Sequence, residues 1–348
     1  MTLATLWFGL VVAMLITYVV LDGFDLGVGV VLGRVARSEA ERDACLRSIG
    51  PVWDGNEVWL VAGGGVLFMA FPGAYARAFS GFYLPLMLTL WLLAARALAI
   101  ELRHQLAAPV WRSLWDGALL VGSAGLSLVL GVALGNVVRG VPIDADGRFF
   151  VALWTDLGTE GSLGAVDWFT ALVGVVALVV LALHGALWLF DRVGAPVRDR
   201  ARTLARWLWP TVVVGELTVV AASLMVQPRI TAALTGRPLT VALATIAAVA
   251  LVGVRLYLAR DSSRAAFLCA ATHIAAMLAC AAACVYPALL PGRAIGEGLT
   301  LHELAAPPSS LQTALWWWIP GIALAIGYFV LLYGRLPARF EVEDAGER

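Results

Sequence analysis

The sequence predicts an all-α membrane protein, folded as a single integral membrane domain over residues 1–348. Hydrophobic residues make up 61% of the chain and charged residues 14%, a composition far from that of soluble domains. Apolar stretches long enough to cross a bilayer, about 20 residues each, recur along the whole length. They do not alternate apolar and polar residues as the strands of a membrane barrel do. Helices are therefore predicted throughout.

Nine apolar segments are predicted to span the membrane. The first has no positive charge before it and no evident cleavage site after it, so we expect it to stay in the mature protein. The second is the least apolar because it contains Asp54, Asn56 and Glu57; a re-entrant segment there would leave eight spans. The last begins with tryptophans at 316–318, which are typical of an interfacial aromatic belt. The predicted spans are 5–33, 52–75, 79–101, 115–135, 165–190, 205–228, 239–259, 264–290 and 312–334.

The arginines predict the orientation of these spans, and all 24 basic residues are arginine. With the N-terminus outside, sixteen arginines fall on inside segments and six on outside segments. This bias follows the positive-inside rule and predicts nine spans, N-terminus out and C-terminus in. The other two, Arg96 and Arg255, lie near inner helix ends, where they are predicted to snorkel toward the surface. Arg96 could instead form an interfacial ion pair with Glu101.

Several classes of function are disfavoured by composition. The formal net charge is zero, so nothing indicates nucleic-acid binding. Four cysteines are present without a CxxC motif, which argues against a disulfide framework or a zinc site. We therefore predict no metal site. The cysteines are Cys45, Cys269, Cys280 and Cys284.

Two pairs of carboxylates lie inside the first two predicted spans. Asp22 and Asp25 are three residues apart, as are Asp54 and Glu57, so each pair shares one helix face. An ionised side chain at bilayer depth costs at least ~2.5 kcal/mol, so such groups indicate a proton or ion path or a buried contact. With the N-terminus outside, all four lie in the inner halves of two antiparallel helices. They could line a polar route that opens on the cytoplasm.

The same residues also allow a structural interpretation, and spacing alone does not decide between the two. Asp54 lies near the start of its helix and could cap it. Asn56 and Asp22 could join helices through hydrogen bonds. Glu216 lies closer to mid-bilayer, where a glutamate is protonated, hydrogen-bonded or functional. A hydrogen-bonded packing role is slightly favoured for Glu216, with a further step in the polar relay as the alternative.

Two histidines lie within predicted spans, His184 and His273. Two axial haem ligands must lie at similar depth on facing helices, and these two depths do not exclude such a pair. One histidine on each of two helices is a weak pattern, however. The favoured interpretation is that both are polar side chains hydrogen-bonded in the core, so no cofactor is predicted to bind this chain.

Four motifs closely resemble subunit II of the cytochrome bd-type quinol oxidases. They are LDGFDLGVG, IGPVWDGNEVWL, FPGAYARAFSGFYLPL and GNVVRGVP. The resemblance is dense over the first 140 residues and continues as the HGALWL segment and the pattern of spans and loops. It implies a fold of two four-helix bundles plus one peripheral helix.

The resemblance also implies a function. The family is a terminal oxidase of the bacterial cytoplasmic membrane, which takes electrons from quinol and reduces O₂ to water, generating a proton gradient. Subunit I would hold the two b haems, the d haem and the quinol-oxidising loop. Subunit II would pair with it and help supply cytoplasmic protons. Asp25 matches the second aspartate of DGFD and Asp54 the aspartate of WDGN, which implies that both relay protons. A small single-span subunit is a further partner that the resemblance allows.

Two other functions stay open at this stage. A cation-coupled secondary transporter would use the carboxylates to bind its coupling ion, although the chain lacks the clear repeats of such proteins. A purely structural assembly subunit would use them to pair with groups of a partner.

Overall fold

Long apolar runs dominate the sequence, and the fold is accordingly almost entirely helical. The computed structural model describes residues 2–144, 147–293 and 297–342; Arg348, which the inside count of arginines includes, lies outside them. Over these residues the elements are α1 (Leu3–Val35), α2 (Glu39–Ile49), α3 (Trp53–Ala70), α4 (Pro72–Gly81), α5 (Tyr83–Leu102), α6 (Pro109–Arg139), β1 (Ala152–Trp154), β2 (Gly164–Val166), α7 (Trp168–Arg192), α8 (Val197–Val226), α9 (Pro228–Gly236), α10 (Pro238–Ala259), α11 (Ser263–Val285), β3 (Ala288–Pro291), β4 (Gly298–Thr300), α12 (Leu301–Leu304) and α13 (Pro308–Gly334).

Eight of the described helices are long and apolar enough to cross a membrane: α1, α5, α6, α7, α8, α10, α11 and α13. They coincide with eight of the nine predicted spans, which makes the chain a multi-pass membrane protein. The remaining predicted span, the second at 52–75, falls on α3, which has 18 residues and is less apolar than these eight helices.

The second predicted span ends earlier than expected, at Ala70. Phe71 has non-helical dihedral angles, and Pro72 begins the separate helix α4. Proline has no N–H to donate to the preceding turn and its ring clashes with it, so the α3 helix cannot run on to residue 75. The next predicted span, 79–101, correspondingly begins at Tyr83, after α4.

Helix α7 lies at the centre of the molecule. Within the most apolar 18-residue stretch of α7, 67% of the residues are buried, whereas none are buried in the corresponding stretch of α13. Helix α7 packs against α1, α6, α8 and α11, whereas α13 touches mainly α1. Helices α3 and α6 pack against α1, and α5 packs against α6. Helices α8 and α11 pack against α7, and α10 packs against α11. Helix α13 therefore lies on the periphery.

Helices α1 and α7 meet backbone to backbone. A Cβ atom added to Gly27 would overlap the Leu181 carbonyl and lie 2.6 Å from the Gly185 nitrogen. A Cβ atom added to Gly185 would in turn overlap the backbone of Gly27. Small residues allow this close approach of membrane helices, so these two glycines join the two groups of helices.

The C-terminal end of α6 is joined to the start of α7 by a buried ion pair between Arg139 and Asp167. The carboxylate of Asp167 also accepts hydrogen bonds from the backbone N–H groups of Phe169 and Thr170, which caps α7. A capping aspartate satisfies N–H groups that have no partner within the helix. The two short sheets, β1–β2 and β3–β4, lie in the loops on this side.

Candidate functional site

Helices α1, α3 and α5 bring the predicted carboxylates of the first two spans together, and α13 adds a tyrosine. Asp22 and Asp25 lie one turn apart on α1, and both are completely or almost completely buried, at 0% and 1% exposure. Asp22 pairs with Arg96, whereas Asp25 is hydrogen-bonded to Asn56. The site therefore consists of an ion pair and a chain of hydrogen bonds.

The first arrangement is a buried ion pair between Asp22 and Arg96. Arg96 donates from Nη1 to Asp22 Oδ2 at 2.7 Å and from Nη2 to Asp22 Oδ1 at 2.6 Å. Its Nη2 also lies 3.5 Å from Glu57 Oε2, and its guanidinium stands 5.9 Å from the ring centroid of Trp53. The prediction that Arg96 snorkels or pairs with Glu101 is wrong: Arg96 is completely buried, because the bidentate carboxylate replaces its hydration.

The second arrangement is a chain of hydrogen bonds that ends at Asp25. Asn56 donates from Nδ2 to Asp25 Oδ2 at 2.8 Å and to the Leu21 carbonyl at 3.3 Å. The Tyr333 hydroxyl donates to Asn56 Oδ1 at 2.8 Å. The other carboxyl oxygen of Asp25, Oδ1, is buried without a hydrogen-bond partner in the described residues. Asp25 therefore has one oxygen fixed and one free.

Asp54 and Glu57 continue this site toward the surface. Glu57 is partly buried, with 24% of its side chain exposed, and reaches Arg96. Asp54 is exposed and lies in the first turn of α3, whose N-cap is Val52 without a side-chain hydrogen bond. The alternative in which Asp54 caps the helix is therefore wrong. Its charge still lies where the helix dipole favours an anion.

A second charged cluster lies beside this site, centred on Arg103 at the C-terminal end of α5. Its guanidinium bonds Asp116 and Asp43 at 2.6 Å and Glu39 at 2.8 Å. Burial raises the pKa of Glu39, but the neighbouring Arg103 and hydrogen bonds from Arg42 and Arg103 outweigh it, so the pKa is lowered overall. The cluster joins the 34–47 segment to α5 and α6.

A third polar arrangement lies in the other half of the chain. His273 of α11 places Nε2 2.7 Å from Glu216 Oε1 of α8, and Nδ1 2.9 Å from the Ala247 carbonyl of α10. His184 of α7 places Nε2 3.0 Å from the Val20 carbonyl, and its ring stacks on Phe267. Sequence reasoning considered Glu216 and His273 singly and did not pair them.

These contacts do not fit haem ligation by the two histidines. An axial ligand needs a free ring nitrogen, and both ring nitrogens of His273 are engaged within the chain. His184 retains only Nδ1, which is buried without a partner in the described residues. Over the same residues there is no group of three or more metal-ligating side chains, and the four cysteines are free thiols.

Two residues of the site were missed at the sequence level, Arg96 as a buried partner and Tyr333. The signal for Arg96 was its position inside an apolar helix, at a predicted depth similar to that of Asp22. The signal for Tyr333 was weaker, since a tyrosine near the end of a span is usually an interfacial anchor.

Comparison with known proteins decides the family. The sequence model of the family described as cytochrome bd terminal oxidase subunit II matches residues 3–335. The chain belongs to this family. The residues of the site, Asp22, Asp25, Asn56, Glu57 and Arg96, all lie within the matched range.

Individual members of the family are similar over part of their length. The chain is 41% identical over 201 residues to a probable cytochrome oxidase subunit 2 of Haemophilus influenzae, covering 58% of this chain and 52% of that one. It is 38% identical over 201 residues to the cytochrome bd-I ubiquinol oxidase subunit 2 of Escherichia coli, with the same coverage. It is 34% identical over 222 residues to the cytochrome bd ubiquinol oxidase subunit 2 of Bacillus subtilis, covering 64% and 63%. The chain thus spans about half to two thirds of these relatives.

The fold agrees with the family assignment. A chain of the solved bd oxidase of Geobacillus thermodenitrificans superposes with a TM-score of 0.77, covering 96% of this chain and 98% of that one at 18% identity. At this identity the comparison shows a shared fold alone.

Proposed function

We propose that this chain is subunit II of a bd-type terminal oxidase, which oxidises quinol, reduces O₂ to water and generates a proton gradient across the bacterial cytoplasmic membrane. Family membership supports this proposal. Subunit I would hold the b and d haems and oxidise quinol, since the histidines of this chain do not fit haem ligation. The contribution of this chain would be proton supply and packing against subunit I. An additional small subunit and bound lipids are compatible with this assembly.

The proposal includes nine spans with the N-terminus outside and the C-terminus inside, arranged as two four-helix bundles and the peripheral helix α13. The first bundle would be α1, α3, α5 and α6, and the second α7, α8, α10 and α11. Helix α3 rises about 27 Å over its 18 residues, close to the thickness of the hydrocarbon core. Its crossing keeps the arginine-rich 34–47 segment and the 103–112 segment on the same, cytoplasmic side.

In this orientation the acids form a graded route from the cytoplasmic surface inward. Asp54 is exposed at the inner end of α3, Glu57 is partly buried one turn further, and Asp25 is buried. Carboxylates inside a membrane are typical of proton relays. We assign Asp54 to proton entry, Glu57 to the next step and Asp25 to transfer toward the oxygen-reducing centre.

The observation that carries this assignment is the contrast between Asp22 and Asp25. Asp22 is held by two charge-assisted hydrogen bonds from Arg96, so its protonation would leave a buried guanidinium without its counter-ion. Asp25 makes no ion pair in the described residues and has Oδ1 free. Asp25 can therefore gain or lose a proton without breaking a salt bridge, whereas a proton on Asp22 would break its pair with Arg96. Asn56 and Tyr333 keep the Asp25 carboxyl in position.

Transfer to subunit I requires that the partner packs beside these acids. The neighbouring exposed faces of α3 and α5 are strongly apolar: Val61 and Trp91 are each 72% exposed. We propose that subunit I covers this surface. Packing there would place the partner within a helix diameter of Glu57 and Arg96.

The test compares Asp25→Asn and Asp54→Asn with Asp22→Asn in the assembled complex. If Asp25 and Asp54 transfer protons, their variants assemble normally but lose oxidase turnover and proton uptake from the inside. Asp22→Asn instead reduces the amount of assembled complex, because it leaves Arg96 buried and unpaired. Glu101→Gln, an exposed acid of α5, is the control.

Wild-type turnover in both Asp25→Asn and Asp54→Asn would refute the relay. Impaired assembly with normal turnover per assembled complex would instead indicate a purely structural subunit. A purified chain without haem-bearing partner would refute the oxidase assignment itself.

A further inference from the structure

Two arginines lie opposite each other where α8 meets α10. Trp209 Nε1 donates to the Leu251 carbonyl at 2.8 Å, and Arg202 Nη2 donates to the Leu258 carbonyl at 2.9 Å. These two hydrogen bonds fix the antiparallel register of the two helices. Arg206 lies four residues after Arg202 and three before Trp209, so it shares their face of the helix. Arg206 therefore lies on the face of α8 that meets α10.

Arg255 occupies the matching position on α10. It lies four residues after Leu251 and three before Leu258, whose carbonyls accept the two hydrogen bonds. Arg255 therefore shares the face of α10 that meets α8. Both Arg206 and Arg255 are exposed, and they lie at the same level, between the two hydrogen bonds that join the helices.

These two arginines lack a counter-ion within the described part of the chain, where neither forms an ion pair or a side-chain hydrogen bond. Arg255 is the only charged residue of α10. Asp261, in the turn after α10, already bonds Arg198 at 3.1 Å and Arg202 at 3.0 Å. The hydrogen bond from Arg198 chiefly lowers the pKa of Asp261, and Arg206 contributes only through its charge. Two guanidinium groups in this arrangement repel each other, and an anion between them would remove the repulsion.

The arginines lie at a level where lipid headgroups meet the protein. Arg255 is four residues, or about 6 Å, from the end of α10 at Ala259, and a long arginine side chain there extends to the interface. An exposed apolar residue follows each arginine: Trp207 is 74% exposed and Leu256 is 50% exposed. Indole rings are typical of the membrane interface. A phosphate beside exposed apolar side chains is the arrangement that a phospholipid provides.

The same end of the two helices carries a surplus of positive charge. Residues 197–206 and 255–264 together contain seven arginines and two aspartates. Basic clusters at the ends of membrane helices attract anionic lipids. The planar guanidinium group is also suited to phosphate, because its paired N–H groups match two phosphate oxygens. Charge and shape therefore both favour an anionic phospholipid over a zwitterionic one.

We propose that Arg206 and Arg255 form a binding site for an anionic phospholipid of the cytoplasmic leaflet, whose phosphate lies between the two guanidinium groups. The acyl chains lie along Trp207 and Leu256. The lipid joins α8 to α10 where the chain itself supplies no ion pair between these arginines. The leaflet rests on the proposed orientation. The site belongs to the second bundle, whereas subunit I is proposed to cover α3 and α5 in the first.

The experiment is a titration of the purified, assembled complex in detergent with phosphatidylglycerol or phosphatidylcholine, in which native mass spectrometry counts the bound lipids. We expect the wild type to bind one phosphatidylglycerol more tightly than the rest, with no such preference for phosphatidylcholine. In the double variant Arg206→Gln with Arg255→Gln, this affinity should fall by at least about tenfold. The double variant Arg34→Gln with Arg37→Gln removes the same charge from two exposed arginines near the end of α1 and should retain the affinity.

Thermal unfolding provides a second readout. Phosphatidylglycerol should raise the apparent melting temperature of the wild type, because a ligand that binds the folded state stabilises it. It should have a smaller effect on Arg206→Gln with Arg255→Gln. If that variant fails to assemble, Arg206→Glu replaces it. The new carboxylate can pair with Arg255, so the complex should assemble without the lipid and should not respond to it.

The proposal would be overturned by an equal affinity of the wild type for the two lipids or by an unchanged affinity in the double variant. Equal stabilisation by inorganic phosphate would also overturn it, because that result indicates a site for small anions. None of these results bears on the proton route, which is tested by turnover.

Discussion

Arg96 on α5 and Asp22 on α1 form a bidentate ion pair in which neither side chain is exposed to solvent. The pair joins two helices of the first group and stands beside Glu57 and Asp25. It therefore places a compensated pair of charges next to Asp25, which makes no ion pair within the described part of the chain.

Replacing Arg96 with methionine should strongly destabilise the complex. The change leaves Asp22 buried without its counter-ion, at a cost of about 3–5 kcal/mol. The measurement is the yield of assembled complex and its apparent melting temperature. The double variant Asp22→Leu with Arg96→Met should recover much of the loss, since no buried charge remains unpaired. A double variant no more stable than Arg96→Met would contradict the pairing.

Gly27→Ala should loosen the contact between the two groups of helices. Its new methyl group would overlap the Leu181 carbonyl, and overpacking of this kind costs about 1–3 kcal/mol or more. Gly33, on the same helix, has open space around its Cβ position and provides the matched control. Gly33→Ala should be neutral or slightly stabilising, because alanine favours helices. Equal melting temperatures for the two variants would contradict the close approach of α1 and α7.

Tyr333→Phe should weaken the positioning of Asp25 without unfolding the protein. It removes the hydrogen bond to Asn56, a loss of about 0.5–1.5 kcal/mol, and leaves the aromatic ring in place. We expect a small decrease in melting temperature and a larger relative decrease in turnover. Tyr328→Phe, at an exposed position of the same helix, is the control. Identical kinetics for both variants would show that Tyr333 does not position the acid.

Glu41 should make stability depend on pH in the acidic range. Burial alone would raise the pKa of Glu41, but Arg200 and the backbone N–H of Arg37 outweigh it and lower the pKa. This contribution is present above the ordinary carboxyl range and disappears as pH falls through the lowered pKa. Glu41→Gln should therefore be less stable than wild type at neutral pH. The difference should begin to shrink when pH falls below the ordinary glutamate pKa of about 4.3 and should vanish below the lowered pKa.

Thermal unfolding at a series of pH values measures this effect. Asp199→Asn, at a position whose side chain is 69% exposed, should match the wild type throughout. A constant difference between wild type and Glu41→Gln across the acidic range would contradict the electrostatic origin.

The helices and the position of the acids within them could be predicted from the sequence, but the hydrogen-bonding and ion-pair partners of the acids could not. Hydropathy located eight spans because length and apolarity are properties of a single segment, and Pro72 explains why the second predicted span ends early. The snorkelling argument for Arg96 failed because it considered one helix at a time. Its partner Asp22 is 74 positions away, and Tyr333 is 277 positions from Asn56.

Distance along the chain also explains why the partner of Glu216 in the second half of the chain was not predicted. Glu216 and His273 are 57 positions apart on helices that are not consecutive. Each residue alone is compatible with a hydrogen bond to some neighbour, and the sequence does not specify which helices meet. The pairing depends on which helices pack together, and this could not be predicted from a single sequence.

The distance between Asp22 and Arg96 along the chain has a consequence for biosynthesis. At ~5–20 residues per second, the ribosome makes the intervening 74 residues in roughly 4–15 seconds. During that interval the first hydrophobic segment has emerged while its counter-ion has not yet been translated. Until Arg96 has been made, Asp22 has no counter-ion, so the nascent protein completes this part of its interior only when α5 is in place.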